Sequence, residues 1–269
     1  MSAHPAHPER PERLAALTGE TVERRATREQ LARVHTGDYL DLLESIDRPT
    51  LLDADTVASE TSWEAARLAA GIALEAVDRG GFALGRPPGH HALANRAMGF
   101  CLVNNVAVAA RYAQAELGLR RVAIVDFDVH HGNGTEATFR DHPSVLFVSL
   151  HRWPFYPGTG GPGTSDETTV NVPLPGGSGD AEYGRAFAEH AEPAVRAFQP
   201  DLVLVSAGFD AHVDDPFRAM AVSDAGFRDL ARRCAALGPR VAAVLEGGYN
   251  VDTLPRLVDV AREGFSSGG

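Results

Sequence analysis

The chain has 269 residues, 44% of them hydrophobic, enough for one large buried core and for a single domain spanning residues 1–269. Its formal net charge is −11 and all 25 basic residues are arginine, so the surface repels phosphate backbones and direct nucleic-acid binding is not expected. No run of about 18 apolar residues marks a membrane span, Met1-Ser2-Ala3-His4-Pro5 lacks the charged and apolar regions of a signal peptide, and two cysteines, Cys101 and Cys234, make no disulfide framework. A cytoplasmic, reducing location with no membrane partner is expected, and the oligomeric state is left open.

In chain order, Ser62 is expected to cap a helix running to about Val77, and Phe82-Ala83-Leu84 forms a short apolar run. Asn104 or Asn105 opens a second helix that reaches Gly118. Apolar, β-rich runs recur at 122–125, 145–148, 202–205 and 241–245 with helical stretches between them, which predicts a parallel sheet with crossover helices. Residues 154–179 are rich in Gly and Pro and are expected to form a functional surface loop. Ser223 caps a further helix that Gly238 ends.

The most informative stretch is Asp126-Phe127-Asp128-Val129-His130-His131-Gly132-Asn133-Gly134, where carboxylates and imidazoles follow a buried strand. Asp and His are costly at the end of a core strand unless paired or metal-bound. If the strand stays extended, Asp126, Asp128 and His130 share one face. Other strand ends carry Pro87-Pro88-Gly89-His90-His91, Ser206-Ala207-Gly208-Phe209-Asp210 and Glu246-Gly247-Gly248-Tyr249, and Gly99-Phe100-Cys101 adds an aromatic turn before a helix. Open α/β sheets place their chemistry at such ends. Asp128, His130 and Asp210 then form a set of two carboxylates and one imidazole with room for water, which is the catalytic zinc pattern. Around it, His90 and His91 are candidates for proton transfer, and Tyr249 for a hydrogen bond to a developing oxyanion.

With these residues the chain resembles the zinc-dependent histone deacetylase superfamily, including bacterial class II deacetylase-like amidohydrolases and acetylpolyamine amidohydrolases. The resemblance runs from His7-Pro8-Glu9-Arg10-Pro11-Glu12-Arg13-Leu14, through Val34-His35 and Arg86-Pro87-Pro88-Gly89-His90-His91, to Glu246-Gly247-Gly248-Tyr249-Asn250. It implies a three-layer arginase/deacetylase fold, with a mostly parallel sheet between helices, and hydrolysis of an N-acetyl amide to acetate and a free amine. It assigns Asp128, His130 and Asp210 to one Zn2+. By the same resemblance His91 is the general base, His90 its electrostatic partner, and Tyr249 the group that polarises the acetyl carbonyl. Asp126 would orient His90, and Asn133 would contact His91. Gly99, Phe100, Tyr156 and Phe217 would line the substrate tunnel. A structural K+ is implied at the Asp126 and Ser149 side chains with the carbonyls of Asp128, His130 and Leu150. The resemblance also implies a strand ahead of His7, which this sequence does not display, and a tunnel mouth more open than usual because the 151–156 loop is short.

Binuclear manganese ureohydrolases share the ancestral fold, but their second metal calls for carboxylates where this chain has Gly132 and His212. The expected substrate is an acetylated lysine side chain or a related acetylated small amine. Phe217 brings no carboxylate for a polycation, which favours acyl-lysine over polyamine. A non-catalytic module that only binds acyl groups is the remaining alternative.

Overall fold

The structure, a computed structural model, describes residues 7–268, so the expectation for Met1 to Pro5 lies outside the described residues. From the amino-terminal side the elements are α1 (Glu12–Ala15), α2 (Arg28–Leu31), α3 (Gly37–Glu44), β1 (Thr50–Leu51), β2 (Val57–Ala58), α4 (Ser62–Arg79) and β3 (Phe82–Ala83). Next come α5 (Asn105–Glu116), β4 (Val122–Asp126), α6 (Asn133–Phe139), β5 (Val145–Arg152) and β6 (Thr169–Leu174). The chain closes with α7 (Asp180–Ala186), a π-helical turn (Phe187–Ala191), α8 (Glu192–Phe198), β7 (Leu202–Ala207), α9 (Asp224–Ala235), β8 (Val241–Leu245) and α10 (Leu254–Ser267).

Six strands form one sheet in the order β3-β8-β7-β4-β5-β6, all parallel, while β1 and β2 form a separate small antiparallel pair. A strand ahead of His7 would fall outside the described residues. The central strands read as continuous apolar runs because both faces are covered. Val122 and Ile124 join Leu74, Val106 and Val108 on one side, whereas Ala123 and Val125 join Phe187, Phe227 and Leu257 on the other. Those two apolar layers flank the sheet and give the expected three-layer architecture.

Register places the chemistry. Asp126 stands level with Ser149 on β5 and Ser206 on β7, so the loops after β4 and β7 leave from the same sheet edge. Residues 207 and 245, at the ends of β7 and β8, are also paired, which brings the last loop alongside.

Several local expectations change. Residues 154–179 are not all loop, since β6 pairs with β5 along the edge of the sheet. The flanking Gly and Pro hide this strand, and Pro173 inside it is tolerated because an edge strand need not donate on both sides. Ser62 is the first helical residue of α4 rather than its cap, and its Oγ accepts from Ser59 N at 2.9 Å. That helix ends at Gly80 in the left-handed conformation, φ 67°. Asn104 caps α5 by accepting from Ala107 N at 3.0 Å, and Ser223 caps α9, which stops at Ala235, short of Gly238. No described helix is long and apolar enough to cross a membrane.

Candidate metal centre and active site

β4 ends at Asp126, so Asp128 and His130 sit in the turn beyond it and not on an extended strand. Side-chain hydrogen bonds to backbone N–H groups aim them instead. Asp126 Oδ1 accepts from Asp128 N at 3.0 Å, Asp128 Oδ1 from His130 N at 2.9 Å, and Asp210 Oδ1 from Val129 N at 2.9 Å. Across the sheet, Gly247 N donates to Asp128 Oδ2 at 2.8 Å.

These bonds leave one ligand atom each from Asp128, His130 and Asp210 within 4.8 Å of one another, and all three residues are buried. His130 Nδ1 lies 3.0 Å from Asp128 Oδ1 and 3.1 Å from Asp210 Oδ2. Ligands about 2.0–2.2 Å from a tetrahedral ion stand about 3.3–3.6 Å apart, close to these separations. Asp210 Oδ2 is fully buried and has no partner of hydrogen-bonding geometry among the described residues. Two buried carboxylates beside one imidazole, one oxygen left unpartnered, is an arrangement that a divalent cation satisfies. Burial and the Asp128 charge push Asp210 up, whereas for Asp128 the neighbouring His90 and His130 overcome burial and hold it low.

Close packing around the triad depends on glycine. A Cβ on Gly208 would stand 2.0 Å from Asp128 Oδ2, and one on Gly247 would stand 2.2 Å from Asp210 Oδ2. Gly247 is thus needed for close approach, not for the backbone freedom that a Gly-Gly pair suggests. Gly248 does need that freedom, with φ 112°.

His90 and His91 stack with ring centroids 4.0 Å apart. His90 Nδ1 meets Asp126 Oδ2 at 2.9 Å. Burial opposes charge on His90, but Asp128 and Asp126 outweigh it and raise its pKa to about 10. A divalent cation held by Asp128 would offset part of that charge and draw His90 back down. His91 goes the other way: burial, then the charges of His90 and His130, push it well below 6.5. Its Nδ1 is 2.7 Å from Asn133 Oδ1, and Asn133 Nδ2 donates to Met98 Sδ at 3.4 Å. The network therefore puts the proton on Nδ1 and the lone pair on Nε2.

Tyr249 is buried, and among the described residues its hydroxyl has no hydrogen-bond partner. Burial, aided by Asp210 and Asp128 and opposed by Arg13, pushes its pKa well above 10, so the phenol remains a donor. Phe100 packs 5.7 Å from the Tyr249 ring, Tyr156 edge-on 5.2 Å from His91, and Phe217 5.6 Å from His130 and 5.1 Å from Tyr249. A fourth ring, unanticipated, is Phe155, stacked on His130 at 5.1 Å. Gly99 and Phe100 both have positive φ, 57° and 68°. For a bulky side chain that is strained, and Phe100 is held there by donating its N–H to Thr56 Oγ1 at 3.0 Å. A Cβ on Gly99 would stand 2.4 Å from His91 Cδ2.

Sequence reasoning missed the residues that brace this site. Arg13, fully buried, donates to Gly248 O at 2.7 Å and Glu246 O at 2.5 Å, with its guanidinium 4.8 Å from the Tyr249 ring centroid. Glu246 Oε2 accepts from Gly89 N at 2.6 Å and His90 N at 3.1 Å, pinning the His-His turn to the Tyr249 loop. Burial pushes Glu246 up to about 7. Ser149 Oγ meets His151 Nδ1 at 3.0 Å. His212 is turned away, its Nε2 3.1 Å from Asp224 Oδ1, so it offers nothing to a second metal.

Comparison with known proteins accords with this geometry. The family model described as histone deacetylase domain matches residues 4–264. Histone deacetylase 10, chloroplastic, of Oryza sativa subsp. japonica is 42% identical over 259 residues, covering 85% of this chain and 58% of its own length. This chain thus spans under two thirds of that relative. The polyamine deacetylase HDAC10 of Mus musculus is 39% identical over 260 residues, 87% of this chain and 39% of its own. The crystal structure of the HDA15 HD domain superposes with a TM-score of 0.92 at 40% identity, covering 99% of this chain and 85% of that one. With the fold and the matched length in agreement, the chain belongs to the histone deacetylase domain family.

Proposed function

We propose that this chain is one catalytic domain that hydrolyses an N-acetyl amide, an acetylated lysine side chain first of all, to acetate and a free amine with one Zn2+. The observation that carries this reading is the buried convergence of Asp128, His130 and Asp210 beside a neutral His91 whose Nε2 is free. Asp128, His130 and Asp210 fit the ion. When bound, zinc acidifies a water and polarises an acyl carbonyl. His91 Nε2 would take a proton from the attacking water, and Asn133 fixes the tautomer that makes this possible. His90, held by Asp126, carries positive charge beside the reacting centre and can return a proton to the leaving amine. Tyr249 donates its free O–H to the acyl oxygen as charge develops there. Phe100 and Tyr156 grip the methylene stem, and Phe217 closes the mouth with an apolar surface. A K+ beside the zinc is part of the reading, with Asp126 and Ser149 standing level in the register of β4 and β5 as its support.

An acetylpolyamine is the second reading. It is supported by the name of the mouse relative and by Asp53 and Asp55, whose charges bear on Tyr156 at the tunnel mouth. Acetate release from a panel of N-acyl-lysine peptides and acetylputrescine, with zinc removed and restored, separates the two. The peptide is expected to be faster; acetylputrescine as the preferred substrate would reverse the order, and bound zinc with no acetate from any amide would leave only an acyl-binding module. Tyr249→Phe is expected to keep metal and lose about 100–1000-fold in kcat, and an unchanged rate would remove the phenol from the chemistry.

A further inference from the structure

Two glycines precede Tyr249, and Gly248 has φ 112°, so local backbone preference does not hold this residue in place. Tertiary bonds must do so. Arg13 takes the carbonyls of Glu246 and Gly248, and the N–H of Tyr249 itself goes to Asp215 Oδ2 at 2.9 Å. The other oxygen of the same carboxylate, Oδ1, accepts from Phe217 N at 2.9 Å. Asp215 is only 2% exposed, although the side chain of its neighbour Asp214 is 61% exposed. Its turn is set by Asp215 N donating to His212 O at 3.0 Å and Arg218 N donating to Asp215 O at 2.9 Å, while Asn250 Nδ2 donates to Asp214 O at 2.8 Å. Burial, then the Asp210 charge, pushes Asp215 up to about 7, so keeping a carboxyl group here costs stability.

We propose that Asp215 is a positioning residue whose carboxylate holds the Tyr249 phenol and the Phe217 ring in one fixed arrangement over the metal centre. The proposal rests on the reading of Tyr249 as donor to the acyl oxygen. One oxygen per backbone N–H is what the geometry uses. A carboxamide has a single acceptor oxygen, so Asp215→Asn sets an NH2 group against one of the two N–H donors, and Asp215→Glu moves both oxygens by a methylene.

The test is a double-mutant cycle on the zinc-loaded enzyme, with Asp215→Asn and Asp215→Glu each made alone and together with Tyr249→Phe. Zinc content and a cooperative melt are checked for every variant. Positioning of the phenol predicts that Asp215→Asn lowers kcat about 10-fold or more when Tyr249 is present and less than about 2-fold when it is Phe. The rise in KM caused by displacing Phe217 should persist in both backgrounds. An equal fall in kcat in both backgrounds, no fall in the single variants, or failure of both Asp215 variants to fold would each overturn the proposal. An unchanged rate for Tyr249→Phe alone is a different result, overturning the role of the phenol first and this proposal with it.

Discussion

Burial and the charges of His90 and His130 set how basic His91 can be, and Asn133 opposes them only weakly. Its amide oxygen accepts from Nδ1 without adding charge, so His91 stays far below 6.5 under the influence of burial and its charged neighbours. A carboxylate in the same place would favour the imidazolium. Asn133→Asp is therefore expected to raise the acidic limb of the pH profile of kcat/KM by about one unit, because the free enzyme must deprotonate His91 before it can act as base. A profile that does not move would take His91 out of that role. Gly247 makes a steric demand at the same scale. The methyl of Gly247→Ala would press on Asp210 Oδ2 and stand 2.5 Å from Asp128 Oδ2. Zinc affinity is expected to fall about 10–100-fold, read by competition with a chelator, and wild-type affinity would show that the carboxylates have room to shift.

The elements that carry the site also hold buried histidines outside the metal centre. His35 follows α2, with Nδ1 3.1 Å from Leu93 O and Nε2 accepting from Asn104 N at 3.0 Å, just where α5 begins. Burial pushes it from the ordinary 6.5 down to about 4. Unfolded, this histidine takes up a proton below about 6.5; folded, it does not until about 4. Stability is thus undiminished above that window and falls as pH drops through it, by about 3 kcal/mol at most. Urea melts at pH 7 and pH 5 should show a shallower loss for His35→Gln than for the native chain, and equal losses would mean that the fold does not lower the pKa of His35. How much of such detail is legible in a sequence depends on the range of the interaction. The triad and the His pair stand out because polar groups break an apolar run at a strand end, a local signal. Arg13, Thr56 and Asp215 do not, since each acts on a partner tens to hundreds of residues away, and Glu246, which also ends an apolar run, gives no sign of its distant partners Gly89 and His90. β6 was hidden by its Gly and Pro neighbours, and Ser62 lost the capping position to Thr61 because both residues are plausible caps and only the backbone chooses.

Over the whole molecule, the parallel order β3-β8-β7-β4-β5-β6 is what makes one site from distant stretches of chain. The loops after β4, β7 and β8 leave one edge together, bringing Asp128 and His130, then Asp210, then Tyr249 to the same point. The proposed hydrolysis depends on a zinc ion that Asp128, His130 and Asp210 could hold there. The most direct test strips the protein of metal and restores zinc stepwise, following acetate released from an acetyl-lysine peptide. Activity is expected to be absent at first, to rise with added zinc and to level off at about one equivalent per chain, with Asp210→Ala inactive throughout. Full acetate release from metal-free protein, or none from protein that has bound its equivalent of zinc, would contradict the account.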